Sequence, residues 1–230
     1  MKQPEMPDLN SMLAYLVHLF TALGAVLGFL AVIFILQGDA ANALRVLALA
    51  VLVDAVDGTL ARRVNVGRYA ADIDGGLMDN LVDYLTWAFI PMLWAWTFLE
   101  IPFAVCAVVL LSSAFGFTHV RAKTPDHMFR GFPSYWNIVI LYLYIIDTGT
   151  LISSLILLVL ALLVVAPLTF VYPSRTPVLQ RTTLLLSLPY IILIVVMLFY
   201  FDTTPLWLVL VSLYYPLYYV ALSCYLSFNR

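Results

Sequence analysis

Apolar runs of about 20 residues recur along the chain from residue 12 to residue 227, separated by short polar breaks. No other feature restricts the fold as much. A helix needs ~20 predominantly apolar residues to cross the ~30 Å hydrocarbon core of a bilayer. Within lipid the backbone must satisfy its own hydrogen bonds, and the ~10-residue alternation of barrel strands is absent. The runs predict eight transmembrane helices, at about 12–37, 40–63, 74–97, 101–122, 133–147, 150–171, 178–200 and 205–227, the fifth being short for a span. Composition agrees: 64% of residues are hydrophobic and 10% charged, against ~25% charged in soluble domains. The chain reads as an all-α polytopic membrane protein. Without internal repeats or a long linker, it reads as a single domain over residues 1–230. The first apolar run exceeds the ~7–15 residues of a signal-peptide core and is expected to be retained. Cys106 and Cys224 stand in separate runs, outside any CxxC pair, and read as buried small hydrophobes.

Lys and Arg set the expected orientation. Arg62, Arg63 and Arg68 follow the second run; Arg121, Lys123 and Arg130 follow the fourth; Arg175 and Arg181 follow the sixth. Lys2 and Arg230 mark the two ends. The alternate loops QGDAAN, TFLEIP, DTGT and FDTTP contain neither residue type, and Arg45 is the exception near the outer end of the second run. Both termini are therefore expected in the cytoplasm.

Against this background, residues 54–83 carry six aspartates. A charge at the centre of a membrane helix costs ~2.5–3.5 kcal/mol even on translocon scales. Asp54, Asp57, Gly58 and Ala61 fall on one face of the second span at ~100° per residue. Gly75, Asp79 and Asp83 recur every four residues and share a face of the third. Two antiparallel neighbours would point four carboxylates into one space, where they repel one another unless a positive charge is present. Divalent cations, which prefer oxygen ligands, meet that need best. Asp72 and Asp74 lie off the pattern, in the turn, and read as solvated. Gly58 and Ala61 leave bare backbone beside the acids, which suits either close approach of a ligand or tight helix packing.

Asp54-x2-Asp57-Gly58-x2-Ala61-Arg62, then Gly75-x3-Asp79-x3-Asp83, resembles the signature of the CDP-alcohol phosphotransferases, and all eight fixed positions are present. The gap of twelve residues, 63–74, is longer than the eight or nine of most members. It resembles the bacterial phosphatidylcholine synthase branch, as do the segment GFPSYWN at 131–137 and the length of 230 residues. The resemblance implies transfer of the phosphatidyl group of CDP-diacylglycerol to choline, with release of CMP. It implies Mn2+ or Mg2+, two ions, held by Asp54, Asp57, Asp79 and Asp83, with Asp83 as general base. Asp57, Gly58, Ala61, Arg62, Gly75 and Thr21 would form the nucleotide and diphosphate site, with Arg121 and Arg175 on phosphate. It further implies a homodimer in the bacterial inner membrane, among membrane lipids, with its site on the cytoplasmic side and no nucleic-acid partner.

Choline is a quaternary ammonium, which proteins hold with aromatic faces. Tyr84, Tyr135, Trp136 and Tyr190 are the candidates, each competing with a role in the interfacial aromatic belt. His18 shares a face of the first span with Thr21, where it lines the nucleotide site or makes an interhelical hydrogen bond. Serine, inositol phosphate or glycerol phosphate as acceptor, a divalent-cation transporter and a structural membrane protein are the competing readings. The orientation is checked with single cysteines in a background lacking Cys106 and Cys224. In intact cells a membrane-impermeant maleimide is expected to label Thr203→Cys, and to reach Ser174→Cys only after permeabilisation.

Overall fold

The computed structural model describes residues 8–229, so Lys2 and Arg230 of the orientation reading lie outside the described residues. The chain forms two compact units, Met1–Thr86 and Trp87–Arg230.

The first unit is built on α1 (Leu9–Leu36) and α2 (Ala40–Val64). Asp8 caps α1 by accepting the Ser11 backbone N–H at 2.8 Å. The buried stripe of α1 is Ala14, Val17, His18, Thr21, Gly24, Gly28, Ala31 and Ile35, in steps of one, three and four. Most of these are small, which lets neighbouring helices approach closely. At Gly24 an added Cβ would stand 2.5 Å from Val82 Cγ1. Asp39 caps α2; the N–H of Asn42, at 2.9 Å, holds its carboxyl below the usual carboxylate range. Asn65 ends α2 in the left-handed conformation that asparagine tolerates.

The connection that follows is ordered. It contains α3 (Val66–Tyr69), and Val66 and Ala70 pack on Ala14 and Val17 of α1. The Tyr15 hydroxyl donates to both oxygens of Asp72, at 2.8 and 2.9 Å. Asp74 then caps α4 (Gly75–Asp83) through the Leu77 N–H. A π-helical segment, Tyr84–Phe89, comes next, and the division between the units falls inside it.

The second unit contains α5 (Ile90–Phe98), α6 (Phe103–Thr118), β1 (Met128–Arg130), α7 (Trp136–Ile146), α8 (Gly149–Val165), β2 (Thr169–Val171), α9 (Gln180–Phe199), α10 (Leu206–Ser212) and α11 (Tyr214–Phe228). Trp94 is fully buried among the rings of Phe98, Tyr144 and Phe201. Strands β1 and β2 pair antiparallel, Met128 opposite Val171. The free edge of β2 is met by hydroxyls of α11: Ser227 accepts the Thr169 N–H, Ser223 accepts the Val171 N–H, and Tyr219 donates to the Val171 carbonyl. This sheet joins two of the loops that carry Arg and Lys. The loops around Glu100, Asp147 and Asp202, which lack both, converge on another cavity of about 480 Å³.

The helices differ from the eight expected spans in length. Among the described residues, three stretches are long and apolar enough to cross a membrane: Leu9–Leu36, Gln180–Phe199 and Leu206–Phe228. Helix α2 has the length but carries Arg45, Asp54, Asp57, Arg62 and Arg63. The expected fourth, fifth and sixth spans appear as helices of 16, 11 and 17 residues. The sixth gives way to β2, because the chain near Ala166 turns extended and hydrogen-bonds to β1. Cys106 is buried as expected, whereas Cys224 is exposed on α11.

Gly131 has a φ of +79°, and an added Cβ would lie 1.9 Å from the Val164 carbonyl oxygen. Gly149 has a similar φ of +72° with open space around it. Gly149→Ala is expected to cost ~1–2 kcal/mol for backbone strain alone. Gly131→Ala adds a clash with backbone and is expected to cost roughly 2–5 kcal/mol. Thermal unfolding in detergent measures both.

Candidate active site

The small stripe of α1 brings α2 and α4 of the first unit together around a pocket of about 640 Å³. Its walls include Thr21, Asp57, Gly58, Ala61, Arg62, Gly75 and Asp79. Asp54 and Asp57 stand one turn apart on α2, and Asp79 comes from α4. One carboxylate oxygen from each lies within 4.8 Å of the other two. Asp57 is 6% exposed, and Asp54 and Asp79 are half-buried. Thr21 donates its hydroxyl to Asp57 Oδ2 at 2.8 Å, which fixes that carboxylate from the α1 side.

The donor set tests the metal reading directly. All three groups offer hard oxygen atoms, and a small adjustment closes them on one divalent cation, whose oxygen ligands sit at roughly 2.0–2.6 Å. Asp83 follows one turn later on α4, half-buried and outside this group of three. Asp72 and Asp74, set apart as turn residues, are exposed; one anchors to Tyr15 and the other caps α4.

The remaining motif residues shape the space. An added Cβ at Gly58 would come 3.3 Å from Arg62 Nη1, so the guanidinium folds back along α2 over the bare glycine. The same guanidinium donates to Thr59 Oγ1 at 3.1 Å. A Cβ at Gly75 would press on the His18 ring, 2.9 Å from Cε1. The connection contributes a wall that sequence reasoning missed: Asn65, Val66, Gly67, Arg68 and Ile73 also line the pocket. The signal available was the length of that gap, with Gly67 and Arg68 inside it.

The other candidates are distributed as follows. Tyr84 opens the π-helical segment and is half-buried. In the second unit, Arg121 and Arg175 are exposed, and the Arg175 guanidinium and the Lys123 ammonium lie 5.7 and 5.6 Å from the Tyr172 ring centroid. Tyr135 is half-buried among Trp87, Phe132 and Tyr219. Trp136 has no exposed surface, and its indole N–H donates to Ser113 Oγ at 2.8 Å. Tyr190 is 5% exposed and stacks on Tyr215, with ring centroids 4.7 Å apart.

A phosphatidylcholine synthase of Borreliella burgdorferi is 36% identical over 97% of this chain and 98% of its own length. One from Legionella pneumophila is 38% identical over 94% of this chain and 88% of its own. One from Pseudomonas aeruginosa is 37% identical over 74% and 73%. Residues 14–171, a stretch that holds the whole aspartate pattern, match the model of the CDP-alcohol phosphatidyltransferases. The chain belongs to the CDP-alcohol phosphatidyltransferase family.

Proposed function

We propose that this enzyme transfers the phosphatidyl group of CDP-diacylglycerol to choline at the cytoplasmic face of a bacterial inner membrane. The observation that carries the proposal is the three-aspartate constellation in a pocket built from the family's own motif, in a chain aligned nearly end to end with phosphatidylcholine synthases. Membership of a transferase family removes the transporter and purely structural readings.

Asp54, Asp57 and Asp79 hold divalent cation, Mg2+ or Mn2+, and Asp83 completes a site for two ions. Bound there, the cations neutralise the diphosphate and the charge that grows on the leaving group. The residues of the chain do the rest. Asp83 takes the proton of the choline hydroxyl. The freed oxygen forms a bond to the lipid-bearing phosphorus, and the bond from that phosphorus to the oxygen of the CMP phosphate breaks. Thr21 keeps Asp57 oriented through the step. Gly58, Ala61 and Gly75 leave room for the nucleotide, and Arg62 answers its negative charge. Arg121 and Arg175 act on substrate phosphate. Tyr84, next to the base, offers its ring to the ammonium. The closed surroundings of Trp136 and Tyr190 give them packing roles instead. We take residues 1–230 as one catalytic domain that works as a homodimer.

With CDP-diacylglycerol and Mn2+ or Mg2+, the purified protein is expected to put label into lipid from choline and not from serine or inositol phosphate, releasing CMP. Turnover with another alcohol would replace the acceptor and leave the family chemistry intact. Asp57→Asn and Asp79→Asn are expected to abolish turnover and Mn2+ binding, the latter followed by electron paramagnetic resonance. Asp83→Asn is expected to keep the Mn2+ held by Asp54, Asp57 and Asp79, to weaken the second ion, and to lower kcat roughly 10²–10⁴-fold, the usual range for a lost general base.

A further inference from the structure

The second unit holds a concentration of positive charge that the reaction above leaves largely unused. Residues 119–131 and 169–181 carry Arg121, Lys123, Arg130, Arg175 and Arg181 against one acid, Asp126, which accepts the Thr124 hydroxyl at 2.7 Å. Two of these cations converge on one ring. The Lys123 ammonium lies 5.6 Å and the Arg175 guanidinium 5.7 Å from the Tyr172 centroid. Phe129 stacks on Tyr172 with centroids 4.5 Å apart, so one face of the ring is covered. The other face and the rim are left to the cations.

The backbone builds this convergence. Lys123 bridges to Phe129 of β1, and the Ala122 carbonyl accepts the Arg130 N–H at 2.8 Å. The buried Thr176 hydroxyl accepts the Tyr172 N–H at 2.8 Å and donates to the His127 carbonyl at 2.9 Å. The Tyr172 carbonyl accepts the Arg175 N–H, closing a turn between ring and guanidinium. Pairing of β1 with β2 thus brings Lys123 and Arg175, far apart in sequence, to one aromatic.

A ring quadrupole attracts each cation but adds no net charge. Two neighbouring cations repel unless an anion joins them. Both are exposed, so an anion from outside the polypeptide can reach them. Their surroundings indicate its kind. Val120 is 97% exposed, and Val178 and Leu179 are exposed too, each three or four residues from one of the cations. Exposed apolar side chains beside Lys and Arg suit the boundary where acyl chains meet headgroups. The anion at that boundary is a phospholipid phosphate, which Arg meets with paired N–H groups and Lys with a point charge.

We propose that Lys123, Tyr172 and Arg175 form a surface site for the headgroup phosphate of an anionic phospholipid. The class includes CDP-diacylglycerol and excludes zwitterionic phosphatidylcholine, whose own ammonium opposes the two cations. The site gathers substrate from the leaflet and lets product go, a consequence that rests on the reaction proposed above.

The test uses the purified full-length chain and the variants Lys123→Gln, Lys123→Arg and Tyr172→Leu. Native mass spectrometry from neutral-detergent micelles holding equal phosphatidylglycerol and phosphatidylcholine measures which lipid stays bound. Wild type and Lys123→Arg are expected to retain phosphatidylglycerol in preference. Lys123→Gln is expected to lose that preference by roughly fivefold, the effect of one basic residue near an anionic surface, and Tyr172→Leu to lose it as well. In turnover with CDP-diacylglycerol diluted in neutral surfactant, Lys123→Gln is expected to raise KM for the lipid by a similar factor, with kcat and KM for choline unchanged. Added phosphatidylglycerol is expected to compete with CDP-diacylglycerol in wild type. Soluble glycerol phosphate that competes equally well would mark a site for free phosphate and overturn the lipid assignment. Equal retention of the two lipids by wild type, or an unchanged preference in Lys123→Gln, overturns the site itself. A wild type that retains phosphatidylglycerol but makes no phosphatidylcholine keeps the site and sinks the reaction.

Discussion

Three carboxylates held within 4.8 Å of one another in an apolar helical bundle set the terms for the rest of the first unit. At an effective dielectric of about 20, each ionised pair at that separation repels by roughly 3.5 kcal/mol. Such a cluster persists where a counter-charge and fixed hydrogen bonds hold it. The Thr21 hydroxyl supplies one of those bonds to Asp57, the most buried of the three. The small stripe of α1 also keeps α4 close, since a side chain at Gly24 would press on Val82. The capping of α4 by Asp74 and the anchoring of Asp72 by Tyr15 serve the same end, setting where α4 begins and so where Asp79 stands.

Much of this site was legible from residue spacing. Steps of three and four place Asp54 with Asp57, and Gly75 with Asp79, because helical geometry is local and independent of the rest of the chain. Asp83 obeys the same spacing yet stands a turn beyond the group of three, for axial rise separates residues that share a face. The wall formed by Asn65, Gly67 and Arg68 was not legible, since it depends on how a twelve-residue connection packs on Ala14 and Val17. The aromatic candidates were chosen by proximity to motifs. A tyrosine or tryptophan reads alike in sequence whether its ring is open or, as at Trp136, engaged with Ser113.

Fold class was readable from hydropathy, and helix length was not. Hydropathy reports which residues avoid water and does not report which hydrogen bonds their backbone makes. Residues 166–171 are apolar enough to continue α8, but the strand partner at 128–130 and the hydroxyls of Tyr219, Ser223 and Ser227 offer that backbone another solution. Apolar surroundings make such completeness necessary, since an unmatched strand edge is penalised far more there than in water.

The way that edge is closed bears on biosynthesis. Strand β1 and its partner are separated by about forty residues, and the helix that finishes the edge lies at the end of the chain, after a further two helices. During synthesis the first unit emerges with all of its helices and caps, while the β2 edge waits for α11 to leave the ribosome. The last helix therefore acts as a keystone placed late, and a shortened chain would leave the second unit with an open edge although every residue of the aspartate pattern had already been made.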